Sequence, residues 1–219
     1  MYSERDIIDL IINKNIRHIS FDYWNTIYFS NPEFKKERGV FLSRISQLDT
    51  DVVQIAVAEL SKLHNERALA KKELVNSEDL NYMLFDKIKI ENNKSRILLH
   101  LYELFQKYPP IIRNEFPSLI KNIHDYKITF SILSNTAFIP GKEIRKVLAK
   151  DKLLEYFTFF QFSDEVGFGK PAKSVFEEMK NKIKLIHENI DNKEILHIGD
   201  DINFDIYPGI ENGIETLKV

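Results

Sequence analysis

The chain has 219 residues, of which 43% are apolar, enough to bury the core of one domain or of one domain with an insertion. The formal net charge is −2, so the sequence has no basic field for nucleic acid or anionic lipid. It contains no cysteine, which excludes disulfides, a thiol nucleophile and a thiolate metal site. No apolar run approaches the ~20 residues that cross a bilayer, and the first residues lack a signal-peptide pattern. We therefore expect a cytoplasmic globular protein with neither nucleic-acid nor membrane partners.

The first part of the chain is predicted to be mostly helical. An amphipathic helix is predicted over residues 3–15, and a strand over 18–23 carries Asp22 at its carboxyl end. From about 31 to 112, helical periodicity predicts four helices. Their apolar positions are Phe34, Val40, Phe41 and Ile45, then Val52, Val53, Ala56, Leu60 and Leu63, then Leu80, Met83, Leu84 and Ile88, and finally Ile97, Leu98, Leu101, Leu104 and Phe105. These positions predict the core of a helical bundle.

The second part of the chain alternates between strands and helices. Pro109 and Pro110 end the helical stretch, and a helix near 117–125 follows. The predicted strands are 127–134, 157–162, 193–198 and 214–217, and the predicted helices between them lie near 140–150, 173–188 and 201–210. This alternation indicates a parallel sheet with helices on both faces. Ligands of such sheets bind outside the carboxyl ends of the strands.

The residues after the first predicted strand carry a recognisable signature. From Asp22 they read Asp-Tyr-Trp-Asn-Thr-Ile. This resembles the first motif of the haloacid dehalogenase (HAD) superfamily, whose phosphatases have Asp-x-Asp-x-Thr followed by an aliphatic residue. Asp22 matches the nucleophile and Thr26 matches the threonine, whereas Trp24 stands where the second aspartate is expected.

Two later segments resemble the second and third motifs of the same superfamily. Ser134 and Asn135 follow a predicted strand. The resemblance implies that the hydroxyl of Ser134 binds a phosphate oxygen and that Asn135 contributes to substrate binding. Taken alone, Ser-Asn-Thr is also what a plain strand-to-helix turn contains. The string Ser-Asp-Glu-Val-Gly-Phe-Gly-Lys-Pro over 163–171 resembles the third motif, in which Lys170 neutralises the phosphoryl group and the nucleophilic carboxylate.

The third predicted strand of the second part, 193–198, is followed by a group of carboxylates. Gly199 is followed by Asp200 and Asp201, and Asp205 comes soon after. This resembles the fourth HAD motif, and clustered hard oxygen donors suit Mg²⁺. The alternative is that Asp200 or Asp201 caps a helix while Asp205 is exposed on it.

Four motifs in the right order, each at a strand end, identify the sequence as similar to HAD hydrolases over 18–30 and 127–217. The resemblance implies an α/β fold: a Rossmann-like parallel sheet over 1–30 and 113–219, with an inserted α-helical cap domain over 31–112. It also implies that Asp22 accepts a phosphoryl group. Mg²⁺ would be held by Asp22, Asp200 and the backbone carbonyl of Trp24, with help from Asp201 and Asp205, and Trp24 would contact the substrate.

The substitution at position 24 bears on the chemistry. In the phosphatases the second aspartate protonates the leaving group and then activates water, whereas the indole N–H of Trp24 is a donor only. General acid–base help is typically worth about 10²–10⁴ in rate. Three functions remain open: a Mg²⁺-dependent phosphohydrolase of a small phosphorylated metabolite with an altered acid–base group, a binding or regulatory protein that lost turnover, and a 2-haloacid dehalogenase. Dehalogenases also carry an aromatic residue there, but they use no metal.

The remaining polar residues are predicted to be structural or exposed. His18 and His197 lie in predicted strands, where packing or a local hydrogen bond is the expected role. Arg38, Arg44 and Arg67 lie in the predicted cap, and we expect each to be a surface charge rather than a contact to an anionic substrate. The sequence gives no indication of the oligomeric state.

Overall fold

The computed structural model describes residues 4–70 and 74–219. Its central sheet has five parallel strands in the order β5-β4-β1-β6-β7. The strands are β1 (His18–Phe21), β4 (Thr129–Ser134), β5 (Phe157–Phe162), β6 (Ile195–Gly199) and β7 (Glu215–Lys218). This confirms the predicted parallel α/β sheet, with strand ends shifted by up to two residues, as expected where hydrogen bonding rather than apolar pattern sets the boundary.

Ten α-helices are present in the described ranges. They are α1 (Glu4–Lys14), α2 (Pro32–Ser46), α3 (Thr50–Leu69), α4 (Ser77–Lys87), α5 (Lys94–Lys107), α6 (Phe116–His124), α7 (Gly141–Lys150), α8 (Ser163–Val166), α9 (Lys173–Ile186) and α10 (Tyr207–Glu211). Ser3, which the sequence placed at the start of the first helix, lies outside the described residues. None of these helices combines the length and apolar character that crossing a bilayer requires.

Two short strands that the sequence did not predict join the helical segment to the sheet. Strand β2 (Tyr28–Phe29) pairs antiparallel with β3 (Ile111–Ile112). Helices α2 to α5 therefore leave and return to the rest of the chain at one place. Two residues per strand is too short a run for periodicity to reveal, which is why the sequence pattern missed the pair.

The four predicted stripes fall on α2 to α5, but not every stripe position is buried. Phe34, Val53, Leu84 and Leu101 are buried as expected. The prediction was wrong for five others, which are exposed: Val40, Ile45, Val52, Leu63 and Met83. Neighbouring helical residues point about 100° apart, so when Val53 and Leu84 face the core, Val52 and Met83 face solvent.

The helical segment rests on the loops that follow the sheet. Asn81 of α4 donates from Nδ2 to the carbonyl oxygen of Phe138 at 2.8 Å. Gln106 of α5 donates from Nε2 to the buried carboxylate of Glu143 in α7 at 3.0 Å. These bonds hold α4 and α5 against the side of the sheet where the strands end.

At the opposite end of β1, a buried histidine links neighbouring strands. His18 Nδ1 lies 2.7 Å from Thr129 Oγ1, and His18 Nε2 lies 2.8 Å from Ser131 Oγ. Burial, and then the nearby ring of His187, lower the pKa of His18 to about 3, so the ring is neutral at physiological pH. The structure thus gives His18 the local hydrogen-bonding role expected of it.

Candidate active site

The carboxyl ends of β1, β4 and β6 bring the predicted site residues together. Asp22 follows β1 directly, and its backbone N–H donates to the carbonyl oxygen of Ile198 in β6 at 2.8 Å. The residue is 6% exposed. Asp22 Oδ1 accepts from Ser134 Oγ at 2.9 Å, and Oδ2 accepts a longer bond of 3.4 Å from Thr26 Oγ1. Of its two oxygens, Oδ2 is therefore the less engaged.

Lys170 lies at the centre of the site. Its ammonium donates to Asp22 Oδ1 at 2.7 Å and to Asp205 Oδ1 at 2.5 Å, and the side chain is 2% exposed. A buried ammonium is costly unless it is paired, and here two carboxylates share it. One lysine thus connects motifs that lie far apart in the sequence.

The three charged groups shift one another's protonation. Burial, reinforced by the charge of Asp205 and opposed by Lys170, raises the pKa of Asp22 to about 6. Burial alone would lower the pKa of Lys170, but Asp205 and Asp22 outweigh it and raise that pKa. Burial would also raise the pKa of Asp205, but Lys170 and His197 hold it below its usual range. Asp205 therefore stays ionised as the counter-ion of Lys170, and Asp22 has the higher pKa of the two carboxyl groups.

Asn135 holds the backbone of Lys170. Its Oδ1 accepts from the N–H of Lys170 and its Nδ2 donates to the carbonyl oxygen of Lys170, each at 2.8 Å. A Cβ on Gly169 would lie only 2.3 Å from Asn135 Oδ1, so glycine is needed for this close approach. The sequence assigned Asn135 to substrate binding. The observed contacts favour a positioning role instead, because both polar ends of the amide are already used.

Asp205 is held by a histidine that the sequence analysis treated as structural. His197 in β6 is fully buried, and its Nε2 lies 3.0 Å from Asp205 Oδ1 while its Nδ1 lies 3.2 Å from Ser20 Oγ. Burial lowers the pKa of His197, so the neutral ring donates from Nε2 to the carboxylate and accepts from Ser20. A Cβ on Gly199 would lie 2.2 Å from Asp205 Cγ. Glycine at position 199 therefore leaves the space that Asp205 occupies beside the end of β6.

Three carboxylates form a group that can hold a cation. One oxygen from each of Asp22, Asp200 and Asp205 lies within 4.8 Å of the others. Hard oxygen donors at this spacing fit Mg²⁺, with water completing the octahedron. Asp205 already accepts from Lys170, His197 and the N–H of Asp201, whereas Asp22 Oδ2 and Asp200 are less engaged. The donor set therefore fits Mg²⁺ with Asp22 and Asp200 as direct ligands. Asp205, whose oxygens are already hydrogen-bonded, would lie next to them without binding the ion directly.

Asp201 lies outside this group. Its Oδ1 accepts from the N–H groups of Asn203 and Phe204 at 2.7 and 3.1 Å, so it caps the π-helical turn Ile202–Ile206. This is one of the alternatives that the sequence left open. The other part of that alternative was wrong, because Asp205 is buried rather than exposed.

The ring of Trp24 contacts the helical segment. The ring packs edge-on against Tyr23, with ring centroids 4.9 Å apart, and near Phe105 of α5 at 6.4 Å. It also lines a cavity of about 190 Å³ between α2, α3 and α5 on one side and residues 137–139 on the other. The predicted role of its backbone carbonyl as a metal ligand stays a prediction.

A residue that the sequence analysis overlooked fixes the turn after Asp22. Arg113 donates from Nε to the carbonyl oxygen of Thr26 at 2.9 Å and from Nη2 to that of Asn25 at 2.6 Å. Asn25 has a φ of 57°, a left-handed conformation that asparagine tolerates. Arg113 follows β3, so it ties the return of the helical segment to the turn behind the nucleophile. Its unremarkable sequence context gave no signal.

Comparison with known families gives the same assignment as the four motifs. The model of the haloacid dehalogenase-like hydrolases matches residues 16–213. The chain belongs to this family. The match covers four of the five strands of the sheet, the helical segment and every site residue of this HAD hydrolase described above; β7 lies just beyond it.

Similar proteins include a hydrolase of Schizosaccharomyces pombe, 33% identical over 89 residues, which are 40% of this chain and 37% of that protein. Solved structures share the fold. The HAD hydrolase YfnB of Bacillus subtilis, bound to magnesium, has a TM-score of 0.70 and 18% identity over 93% of this chain and 88% of its own. A 2-haloacid dehalogenase of Pseudomonas syringae has a TM-score of 0.64 and 17% identity over 93% and 86%. A HAD phosphatase of Thermococcus onnurineus has a TM-score of 0.60 and 18% identity over 93% of this chain and 86% of its own. These identities establish the fold alone.

Proposed function

We propose that this HAD hydrolase is a Mg²⁺-dependent phosphohydrolase of a small phosphorylated metabolite, with Asp22 as the nucleophile. The supporting observation is the grouping of Asp22, Asp200 and Asp205 around one point, with Lys170 bridging two of them. A phosphate dianion would be repelled by three carboxylates and one ammonium. A divalent cation among the carboxylates reverses that balance, which is why the group favours phosphate chemistry over carbon–halogen chemistry.

The proposed roles of the individual residues are as follows. The carboxylate of Asp22 attacks phosphorus, the bond to the leaving oxygen breaks, and water later attacks the aspartyl phosphate to release inorganic phosphate. Ser134 and Lys170, which now contact Asp22, are placed to contact the oxygens of the transferred group. Mg²⁺, when bound, would supply Lewis-acid neutralisation of those oxygens. Thr26, beside Asp22 Oδ2, would contact the substrate near the nucleophile.

We also propose that residues 31–112 act as a cap over a core formed by 1–30 and 113–219. Leu74, just after α3, donates its N–H to the carbonyl oxygen of Gly167 at 2.8 Å, so the helical segment reaches the Lys170 loop. The chain enters this segment after β2 and leaves it at β3, and the pairing of these two strands supports the division. A cap in this place would exclude water from the reacting group.

A second candidate is a protein that binds a phosphorylated compound with little turnover. It is favoured by Trp24, because no group at that position can exchange a proton with a leaving group. The aromatic residue also keeps 2-haloacid chemistry as an outcome to be tested. These candidates differ in which substrate is consumed and in whether Mg²⁺ is required.

The first prediction concerns metal dependence. We expect the protein to release phosphate from para-nitrophenyl phosphate and acetyl phosphate with Mg²⁺, and to lose this activity when EDTA removes the metal. Both substrates have good leaving groups and so demand little of the missing acid. Equal rates with and without Mg²⁺, or consumption of 2-chloropropionate in its place, would contradict the proposal. Binding of phosphate without turnover would favour the second candidate.

The second prediction concerns the missing acid. We expect Trp24→Asp to hydrolyse an alkyl phosphate such as methyl phosphate about 10²-fold faster than the matched Trp24→Asn variant, the lower end of what general acid–base catalysis supplies. The two variants lose the same indole packing, so their ratio isolates proton transfer from stability. For acetyl phosphate the ratio is expected to be smaller. Equal rates of the two variants on methyl phosphate would show that position 24 cannot serve as the acid.

A further inference from the structure

Arg38 is a half-buried cation that lies between aromatic rings and has no ionic partner among the described residues. Arg38 of α2 lies with its guanidinium 5.4 Å from the ring centroid of Phe34 and 5.7 Å from that of Phe138. Among residues 4–70 and 74–219, no carboxylate pairs with it and no hydrogen bond is made by it. Arg38 is half-buried, whereas Arg44 on the same helix is exposed as expected.

The surroundings of Arg38 make it electrostatically uncompensated. Burial lowers the pKa of Arg38 to about 10, so the group still carries its charge at neutral pH. Guanidinium is more weakly hydrated than ammonium and can lie between two aromatic rings, but a desolvated charge remains unfavourable until an anion meets it. An unpaired cation in this setting indicates a ligand.

Arg38 lines the same cavity as Trp24. The described residues that line it include Arg38 and Lys35 but no acidic side chain. Asn31 and Ser61 add polar groups, and the remainder of the wall is largely apolar and aromatic. The cavity is thus positive, partly apolar and enclosed by the helical segment on one side. Such a lining suits an organic anion better than a free cation or a neutral sugar.

The position of the cavity relates it to the nucleophile. Its core-side wall is formed by Trp24, two residues after Asp22, and by residues 137–139, which begin three residues after Ser134. A compound that occupies both places has its phosphoryl group at Asp22 and its other end beside Arg38. The volume of about 190 Å³ corresponds to roughly six water molecules, which is room for a short chain ending in a carboxylate or a second phosphate.

We propose that Arg38 binds a second anionic group, a carboxylate or phosphate at the non-reacting end of the substrate, in the cavity that it shares with Trp24. This rests on the proposed function and specifies its substrate class. The planar guanidinium donates two parallel hydrogen bonds to such a group, and the Trp24 ring covers the chain between the two anions. In this proposal the side chain at position 24 packs against the substrate, and it does not act as an acid.

The test compares the binding of matched phosphonates, which cannot be hydrolysed, by isothermal titration calorimetry with Mg²⁺. Phosphonoacetate, 3-phosphonopropionate and 4-phosphonobutyrate each carry a carboxylate at a different reach. Methyl-, ethyl- and propylphosphonate serve as partners without one. We expect at least one carboxylate compound to bind the wild type about 10- to 100-fold more tightly than its partner, the range that charge-assisted hydrogen bonds supply.

Variants locate the effect. Arg38→Gln is expected to bring the preferred compound to the affinity of its partner while leaving ethylphosphonate binding unchanged. Arg44→Gln, on the exposed side of the same helix, is expected to change neither. Thermal melting checks that both variants fold, and Arg38→Met serves if the glutamine variant does not.

Two outcomes would overturn the inference. If the wild type hydrolyses para-nitrophenyl phosphate yet binds every matched pair equally, the proposed function stands and the Arg38 subsite is wrong. If Arg38→Gln keeps the full preference for a carboxylate, the anion binds elsewhere. Failure of all phosphonates to bind, together with absence of turnover, would remove the proposed function and the subsite with it.

Discussion

Asp22→Asn is expected to lower the hydrolysis of para-nitrophenyl phosphate by at least about 10⁴-fold, as removal of a nucleophile does in other enzymes that form covalent intermediates. Asparagine has the same shape, so the bond from Ser134 can persist, but its neutral oxygen cannot attack phosphorus. Steady-state kinetics with Mg²⁺ measures the effect. Residual activity within tenfold of the wild type would place the nucleophile elsewhere.

The same variant is expected to leave stability almost unchanged. Lys170 contacts both Asp22 and Asp205, so one counter-ion remains when Asp22 becomes neutral. Burial already raises the pKa of Asp22 to about 6, which means that its charged form is held at a cost. A melting temperature close to that of the wild type would therefore separate a chemical loss from an unfolded protein.

Lys170→Met is expected to be harmful in both respects. Methionine is of similar length but uncharged, and it leaves two buried carboxylates that repel each other and have lost their cation. Breaking a buried ion pair by removing one partner costs about 3–5 kcal/mol. Urea unfolding measures this, and we expect a loss of that order. Turnover should fall as well, because the charge facing the phosphoryl group is lost.

The pH dependence of this loss gives a stricter check. Removing Lys170 raises the carboxyl pKa values further, so acid protonates Asp22 and Asp205 in the folded variant and relieves their repulsion. The stability difference between wild type and Lys170→Met is therefore expected to shrink as the pH falls, beginning above pH 6, because the pKa of Asp22 is about 6 in the wild type and higher in the variant. Lys62→Met provides the control, because Lys62 and its partner Glu66 are both exposed. A deficit independent of pH would mean that packing, not charge, accounts for it.

The sequence predicted most of the sheet because parallel strands are buried on both faces and appear as apolar runs. Strand β1 and the strand that ends in Ser134 were identified in this way, and the chemistry follows them directly. The pairing of β2 with β3 was missed, since two residues leave no periodicity. Short pairings of this kind depend on where the chain returns, which only the tertiary structure shows.

Individual roles were less predictable than motif positions. Asp201 and Asp205 both follow the Gly199 strand end, yet one caps a helical turn and the other is buried against Lys170. Composition cannot separate them, because a carboxylate suits either role. Arg38 shows the same limit: as one arginine among three in a helical segment it was expected to be a surface charge, and only its place beside two aromatic rings and the Trp24 cavity distinguishes it.

Trp24 bears on both the proposed chemistry and the proposed substrate. A phosphohydrolase without its usual acid and base should form the aspartyl phosphate from a good leaving group but hydrolyse it slowly, because no side chain at position 24 activates the attacking water. The phosphorylated enzyme is then expected to accumulate. This consequence separates a slowed phosphatase from a protein that only binds.

The most direct test is to trap that intermediate. The protein is mixed with acetyl phosphate and Mg²⁺, quenched in acid, and its peptides are analysed by mass spectrometry, with Asp22→Asn as the control. We expect one phosphoryl group on the peptide that contains Asp22, none without Mg²⁺, and none in the variant. A phosphoryl group on another residue, or persistent labelling of Asp22→Asn, would contradict the assignment of Asp22 as the nucleophile.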